Sequence, residues 1–217
     1  MRNLLILLVS GVLLSVNAQG ADTSFREDQL YLSVSYPFFS QPPNELIQNK
    51  LSYAISMGFV RDMPINNSRT LALGLGLGWN HITLFNNSRF QVTDSGISSS
   101  IIQGEYQQNQ LEIQSLMVPF ELRWRNATAT KHAFWRIHTG IGFHVPINFR
   151  SLYNSNGIEH TTPLPSNDVL LSWNVHFGFN TWNISILHDL QPMATSATSN
   201  GDFDIKFTRI GLIFYIL

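Results

Sequence analysis

Apolar and polar residues alternate with a period of two in eight separate stretches of the chain. The clearest is 71–80, where leucines and Trp79 occupy one face and Ala72, three glycines and Asn80 the other. Successive side chains of a strand point to opposite faces, so this alternation predicts β-strands, and helical spacing fits none of the stretches. The predicted strands are 30–38, 51–59, 71–80, 115–125, 135–147, 169–180, 182–190 and 203–217.

The connections between these stretches alternate between long and short along most of the chain. Turn-forming pairs concentrate in the long connections, as at Asn156-Gly157 and Asn200-Gly201. Barrels of bacterial outer membranes have short turns at the periplasmic end and longer loops outside. We therefore expect an all-β fold, an eight-stranded antiparallel up-and-down transmembrane β-barrel with long extracellular loops and short periplasmic turns.

Aromatic residues cluster near both ends of the predicted strands. Two such bands are typical of the aromatic girdles that a transmembrane barrel places at the two membrane interfaces. The predicted girdle residues are Phe59, Trp124, Trp135, Phe179 and Trp182 beside the short turns, and Trp79 and Trp173 toward the long loops.

Alternation alone does not decide which face points inward, since a secreted lipocalin-like barrel would bury its apolar face. The polar face is rich in glycine and serine and carries charges of both signs, whereas the apolar face is nearly uncharged, which favours the membrane orientation. Eight strands enclose a lumen that side chains can fill, so we expect a plugged interior. The predicted interior polar cluster is Glu121, Arg123, Arg136, His138, Asn174, His176 and Arg209.

The first twenty residues have the parts of a secretory signal. Arg2 gives a positive start, an apolar run extends from Leu4 to Val16, and Val16 and Ala18 are small residues before a cleavage site. The run is too short for a spanning helix, which needs about 20 apolar residues. We expect cleavage after Ala18, with Ala21 as the second choice. The predicted organisation is a signal peptide at 1–18, a short N-terminal segment at 19–28 and an outer-membrane barrel domain at 29–217.

The composition is low in charge without being strongly apolar. Of 217 residues, 12% are charged and 44% are apolar, with a net charge of −1 and no cysteine. Soluble domains carry about 25% charged residues, and a lipid-facing exterior explains the difference. The apolar content excludes a disordered protein, and the lack of basic excess argues against nucleic acid as a partner. The lack of cysteine excludes disulfide scaffolds and cysteine hydrolases.

Two motifs superficially resemble ligand sites. The Gly74-x-Gly-x-Gly78 run lies within a strand, whereas a dinucleotide fingerprint needs a strand, turn and helix. His138 and His176 share a face of neighbouring strands and with Glu121 could ligate a metal, but we expect a hydrogen-bonded core pair. The sequence therefore predicts no catalytic residue, no metal ion and no cofactor.

A rim hydrolase or acyltransferase is an alternative of a different class. His144, His188 and Asp189, with Asp168 nearby, fall toward the outer rim, where some membrane-barrel enzymes hold their histidine, aspartate and serine. The sequence fixes no nucleophile beside a base, so we expect a protein that is not an enzyme. A narrow channel is a third hypothesis.

The connection from Thr83 to Gln110 is the strongest candidate for a functional loop. It is long, mostly uncharged and contains Ile97 and Tyr106, and long loops usually carry function or are disordered. It could continue its flanking strands as a ribbon above the membrane and bind a partner by strand addition. The expected partners are outer-membrane lipid and a protein at the extracellular loops or the periplasmic rim.

Four segments resemble the PorT-like family of small outer-membrane barrels of Bacteroidetes. The resemblance implies an eight-stranded outer-membrane barrel and names no catalytic residue. Founding members of that family are implicated in type IX secretion, so it implies a structural or accessory role linked to protein secretion or to envelope interactions. The resembling segments are 59–66 with 71–79, 118–125 (VPFELRWR), 134–140 (FWRIHTG) and 211–217 (GLIFYIL).

Overall fold

The computed structural model describes residues 28–126, 134–199 and 201–216. Within these ranges the chain forms thirteen strands and no helix. No helix among the described residues is long and apolar enough to cross a membrane. The strands are β1 (Asp28–Phe39), β2 (Tyr53–Pro64), β3 (Leu71–Phe85), β4 (Ser88–Thr93), β5 (Gly96–Ile101), β6 (Gln108–Arg125), β7 (Trp135–Ser155), β8 (Ile158–Pro163), β9 (Leu170–Phe179), β10 (Trp182–Asp189), β11 (Thr195–Thr198), β12 (Gly201–Asp204) and β13 (Phe207–Ile216).

Eight of these strands close into an antiparallel barrel. Each pairs with its neighbours in the order β1, β2, β3, β6, β7, β9, β10, β13, and β13 pairs back with β1, with Tyr31 opposite Tyr215. Closure satisfies the backbone hydrogen bonds of every barrel strand, which hydrocarbon surroundings require. The predicted eight-stranded up-and-down barrel is confirmed.

The connections alternate as predicted, with short turns at one end and long loops at the other. The short ones are 65–70, 126–134 and 180–181, and the long ones are 40–52, 86–107, 156–169 and 190–206.

Several predicted strand boundaries are wrong. β3 continues past residue 80 to Phe85, β6 begins at Gln108 instead of at residue 115, and β7 continues past residue 147 to Ser155. β2 continues five residues past Phe59 to Pro64, and β13 begins at Phe207 instead of at residue 203. Phe203 belongs to β12, which forms a separate four-stranded sheet with β11, β5 and β4. On β2 the apolar face ends at Phe59 although the strand continues, because Val60 is an apolar residue on the inward face and Arg61 a charged residue on the outward face.

The apolar outward face has the height of an outer membrane. On β6 it runs from Leu116 to Trp124, which spans about 20–25 Å for a rise of about 3.4 Å per residue and a tilt of about 40°, against an apolar band of about 25 Å in such barrels. Above it, the outward residues of β3, β6 and β7 become polar, on β7 after the exposed Ile147. The boundary row of Trp79, Leu116 and Val145 is followed by His81, Gln114 and Asn148, with a bulge in the β6–β7 pairing at this level.

Above this boundary the pattern inverts and the interior becomes apolar. Ile82 and Leu84 continue the inward face of β3, and Leu111 and Ile113 that of β6, with exposures of 0–2%. We call the part of the protein above the boundary the cap, and its core contains residues from all four long connections or their flanking strand ends. That core comprises Phe39, Leu46, Ala54, Ile82, Leu84, Phe90, Ile97, Leu111, Ile113, Phe149, Leu164, Leu170, Met193, Phe203, Ile205 and Phe207.

Two hairpins project the long connections upward from the barrel. Asn156 and Gly157 join β7 to β8 with φ angles of 53° and 77°, and two successive positive φ values suit the tight turn of a two-residue hairpin. Gly96, with φ of 122°, closes the β4–β5 hairpin. The connection 83–110 thus continues β3 and β6 above the membrane, as the sequence predicted, and adds a hairpin of its own.

Truncating a leucine in the cap should destabilise the protein more than truncating one on the lipid face. Leu84→Ala leaves a cavity in a closed apolar core, so we expect a loss of about 2–5 kcal/mol in the free energy of unfolding. Leu116→Ala is the matched control, because Leu116 is 43% exposed and lipid can fill the vacated space. Denaturant unfolding of the detergent-folded protein measures both, and equal losses for the two variants would contradict the cap core.

Candidate functional site

Glycines on the inward face of β3 make room for two large polar side chains in the lumen. A Cβ at Gly78 would clash with the hydroxyl of Tyr31, and a Cβ at Gly74 would clash with the aliphatic stem of Arg123. The glycines therefore let Tyr31 and Arg123 lie against this wall. The Gly74-x-Gly-x-Gly78 run is part of β3, in agreement with its period of two.

Arg123 crosses the lumen from β6 and is only 2% exposed. Its Nη1 donates to Asp62 Oδ1, and its Nη2 donates to Gln29 Oε1 at 2.9 Å. Its Nε donates to His138 Nδ1 at 3.2 Å, and its guanidinium lies 5.0 Å from the ring centre of Tyr215. Because these partners belong to β2, β1, β7 and β13, one side chain links the walls of the barrel through its interior.

Glu121 forms the second half of this cluster. Its carboxylate lies 3.5 Å from Arg123 Nε and 3.4 Å from His176 Nε2, and it accepts a hydrogen bond of 3.3 Å from Asn174 Nδ2. We call this group the lumen cluster. Its members are Gln29, Asp62, Glu121, Arg123, His138, Asn174, His176 and Tyr215.

Asp62 is the carboxylate that sequence reasoning missed. It is 2% exposed, and its two oxygens face Arg123 and Arg125, the latter at 3.4 Å. Its position lies beyond the predicted end of the second strand at Phe59. The inward face of that strand continues at every second residue through Val60 to Asp62, so extending the alternation would have identified it.

Of the seven predicted interior residues, five meet in the lumen cluster and two lie apart from it. All seven are buried, with exposures of 1–5%. Arg209 instead pairs with Asp189 at 2.6 Å, higher in the barrel, where Asp189 also accepts the backbone N–H of Phe207. Arg136 packs its guanidinium against the rings of Phe134 and Tyr215, at 4.8 and 5.2 Å.

A small cavity adjoins the lumen cluster and fits ordered water. Its volume is about 20 Å³, and a water molecule needs about 10–15 Å³ and two to four polar partners. Five buried polar atoms of the residues that line it have no hydrogen-bond partner from the protein, and a water there would supply one. They are Tyr31 Oη, Glu121 Oε2, Asn174 Oδ1, His176 Nδ1 and Ser185 Oγ.

The predicted girdle residues all lie on the outward face of the barrel. Six of them are about 40% exposed or more, and Trp79 is half-buried. Phe59 does not lie beside a turn, since five further residues of β2 follow it, but the next outward residue, Arg61, pairs with Asp28 at 3.6 Å. Charge therefore ends the apolar face of β2 at Phe59.

The residues of the hydrolase alternative do not come together. His188 bonds to Thr208 on the outer side of the wall, whereas its neighbour Asp189 points into the lumen toward Arg209. His144 Nε2 lies 2.8 Å from Ser172 Oγ, the spacing of a base and a nucleophile, but the two are 4% and 0% exposed. This pair is closed to both lipid and water, so it fills the lumen and offers no access to a substrate.

His138 and His176 are adjacent, but among the described residues no third ligand shares a common point with them. His138 and His176 are directly opposite in the β7–β9 register, with ring centres 6.5 Å apart and nearly perpendicular planes. Across residues 28–126, 134–199 and 201–216, no group of three histidine or acidic side chains is placed to hold a metal ion. His138 is instead engaged with Arg123 and Tyr215.

Comparison with known proteins identifies the family. A family model described as an outer membrane protein beta-barrel domain matches residues 17–187. The chain belongs to this family. It is an outer-membrane protein whose outward faces contact membrane lipid.

The crystal structure of Ail, the attachment invasion locus protein of Yersinia pestis, aligns with a TM-score of 0.34 and 10% identity, over 88% of this chain and 100% of that one. No curated protein matches the sequence.

The Arg123–Asp62 pair should show strong energetic coupling. Removing either partner leaves a buried charge uncompensated, which costs about 3–5 kcal/mol. In a double-mutant cycle of Arg123→Leu and Asp62→Leu we expect a coupling of about 1–3 kcal/mol in the free energy of unfolding.

The pair Arg61–Asp28 is the matched control for this cycle. Its side chains are 51% exposed, so solvent screening should keep their coupling below about 1 kcal/mol. Equal coupling at the two pairs would contradict a buried lumen cluster.

Proposed function

We propose that this outer-membrane barrel is not an enzyme and that it acts through its cap, as an accessory protein of the cell envelope. The observation that carries the proposal is the apolar core of the cap, which makes the four long connections one folded body. A passive shielding loop needs no such core, whereas a rigid surface is what a binding partner requires. The cap is therefore the proposed working surface of the protein.

The filled lumen supports this proposal over a narrow channel. Arg123 reaches from β6 to Gln29 on β1, and the Arg209–Asp189 pair occupies the lumen above it. The buried residues of the cap core lie above both sets of charges. A solute would have to displace the ion pairs and then the apolar core, so the filled interior argues against solute transport through the barrel.

The hairpin of β7 and β8 is the part of the cap best suited to bind a partner. Among the strands that the structure describes, β8 is the last of its sheet and pairs only with β7, and it is exposed at five of its six positions. Ile158, on this strand, is 61% exposed, and Val92 on β4 is 50% exposed. A free strand edge beside exposed apolar residues suits strand addition by an extended segment of a protein partner.

The resemblance to PorT-like barrels supports a link to protein secretion of type IX. It rests on segments around Arg61, Arg123 and Arg136, two of which carry lumen-facing charges. In this role the barrel would assist the secretion machine as a membrane component that contacts it. Residues 1–18, which lie outside the described residues, are proposed to be a signal peptide, and the mass of the mature chain, starting at Gln19, tests that assignment.

Deleting the gene should reduce the amount of type IX cargo at the cell surface, and a variant with a modified cap should fail to restore it. Ile158→Asp with Thr161→Lys adds charge at the free edge of β8, so we expect loss of partner binding without loss of the barrel. Cargo is measured on intact cells by immunoblot, with heat-modifiable gel mobility as the check of folding.

Asn67→Lys is the matched control, because it adds charge at an exposed residue of the opposite, periplasmic end. Unchanged secretion and envelope integrity in the deletion strain would contradict the accessory role. If the β8 variant restored secretion fully, the free edge of β8 would be excluded as the site that contacts the partner.

A further inference from the structure

Arg136 is a buried cation at the periplasmic end of the lumen. It is the second residue of β7, faces inward and is 5% exposed, while the preceding residue, Trp135, faces lipid in the girdle. In the register of the adjacent strands β6 and β7 it is directly opposite Arg125, which also faces inward. Two arginines are thus neighbours on the same face at the mouth of the lumen.

The carboxylates near Arg136 are committed to other groups. Asp62 directs its two oxygens to Arg123 and Arg125, and Glu121 lies against Arg123 and His176. In the part of the chain that the structure describes, Arg136 makes no ion pair with an acidic residue. Its contacts are two aromatic rings, and its Nε is buried without a hydrogen-bond acceptor.

This arrangement is unfavourable unless an anion completes it. A buried charge must be paired and hydrogen-bonded to be tolerated, and a like charge on the opposite residue adds repulsion. Stacking on aromatic rings attracts a cation but does not satisfy its N–H donors. The missing component is a negatively charged hydrogen-bond acceptor whose shape fits the planar, forked N–H donors of the guanidinium.

We propose that Arg136 is the centre of an oxyanion-binding site that opens toward the periplasm and takes a phosphate or carboxylate group. Oxyanions of this shape accept two parallel hydrogen bonds from arginine, and such bonds are about twice as strong as those between neutral groups. Among the described residues around the site, the three arginines Arg123, Arg125 and Arg136 face two carboxylates, those of Asp62 and Glu121. This positive excess raises the local concentration of anions. The ring of Tyr215, 5.2 Å from the guanidinium, holds it in a fixed orientation.

Carboxylates of the chain outside the described residues are the alternative occupants of the site. The sequence has 14 acidic residues, of which Asp22 and Glu27 lie outside the described residues. A carboxylate of the chain could therefore occupy the site in place of a ligand. A double variant, Asp22→Asn with Glu27→Gln, distinguishes this source from an external oxyanion.

The test is thermal unfolding of the detergent-folded protein in chloride, acetate and inorganic phosphate at equal ionic strength. Binding to the folded state alone raises the unfolding temperature, so we expect phosphate or acetate to raise it above the value in chloride by about 2–4 °C or more. The larger shift identifies which of the two groups the site prefers. Arg136→Gln should abolish the rise in unfolding temperature. Arg136→Lys, which keeps the positive charge but lacks the forked donors of a guanidinium, should reduce it.

Arg61→Gln is the matched control, since Arg61 is a periplasmic-side arginine on the outer surface, paired with Asp28; it should keep the full shift. In chloride, Arg136→Gln should unfold at the same temperature as the wild type or higher, because it removes a charge that lacks a partner. Three results would overturn the proposal. These are equal unfolding temperatures in the three salts, an undiminished shift in Arg136→Gln, and a larger shift once Asp22 and Glu27 are neutralised, which would assign the site to the chain's own carboxylate.

Discussion

Closure of the hydrogen-bond ladder is the constraint on which the rest of this structure depends. In hydrocarbon no water can pair with a free backbone group, so the strand that begins at Asp28 must meet the last strand, and it does so along its length. Eight strands close around a narrow lumen. The narrowness explains the glycines at positions 74 and 78, which give the side chains of Arg123 and Tyr31 the space they need.

The interior changes character where the surroundings change. Within the membrane the outside must be apolar, and the lumen takes the polar groups as a cluster. There the charges of Arg123 and Arg125 balance those of Asp62 and Glu121. Above the membrane the outside faces water, so the same strands turn apolar residues inward and build a core of the type found in soluble proteins. On β7 a bulge after Val145 accompanies this change and brings Phe149 to the inner side. The protein is therefore one barrel with two kinds of interior.

Much of this could be predicted from the sequence, because alternation at period two is a direct consequence of strand geometry. The eight strands, the unequal connections and the outward girdle follow from it. The partners of the buried charges do not, because pairing across a lumen depends on register and tilt, which alternation leaves open. Asp62 shows the difference. Its inward orientation could be predicted by continuing the alternation from Val60, but its contact with Arg123, 61 positions along the chain, could not be predicted. The ribbon above the membrane was predicted, but the shared apolar core of the cap was not, because Leu111 and Ile113 keep the inward parity while the inward residues change from polar to apolar.

The central claim is that the apolar faces point into lipid and the charged faces into the lumen. All five tryptophans of the chain, Trp79, Trp124, Trp135, Trp173 and Trp182, lie on the outward face near the membrane interfaces. The most direct measurement is quenching of their fluorescence by brominated lipids after folding into vesicles. We predict strong quenching, larger for bromine near the headgroups than at the chain ends. Fluorescence that is unaffected by brominated lipid would contradict the orientation and with it the account of the lumen and the cap.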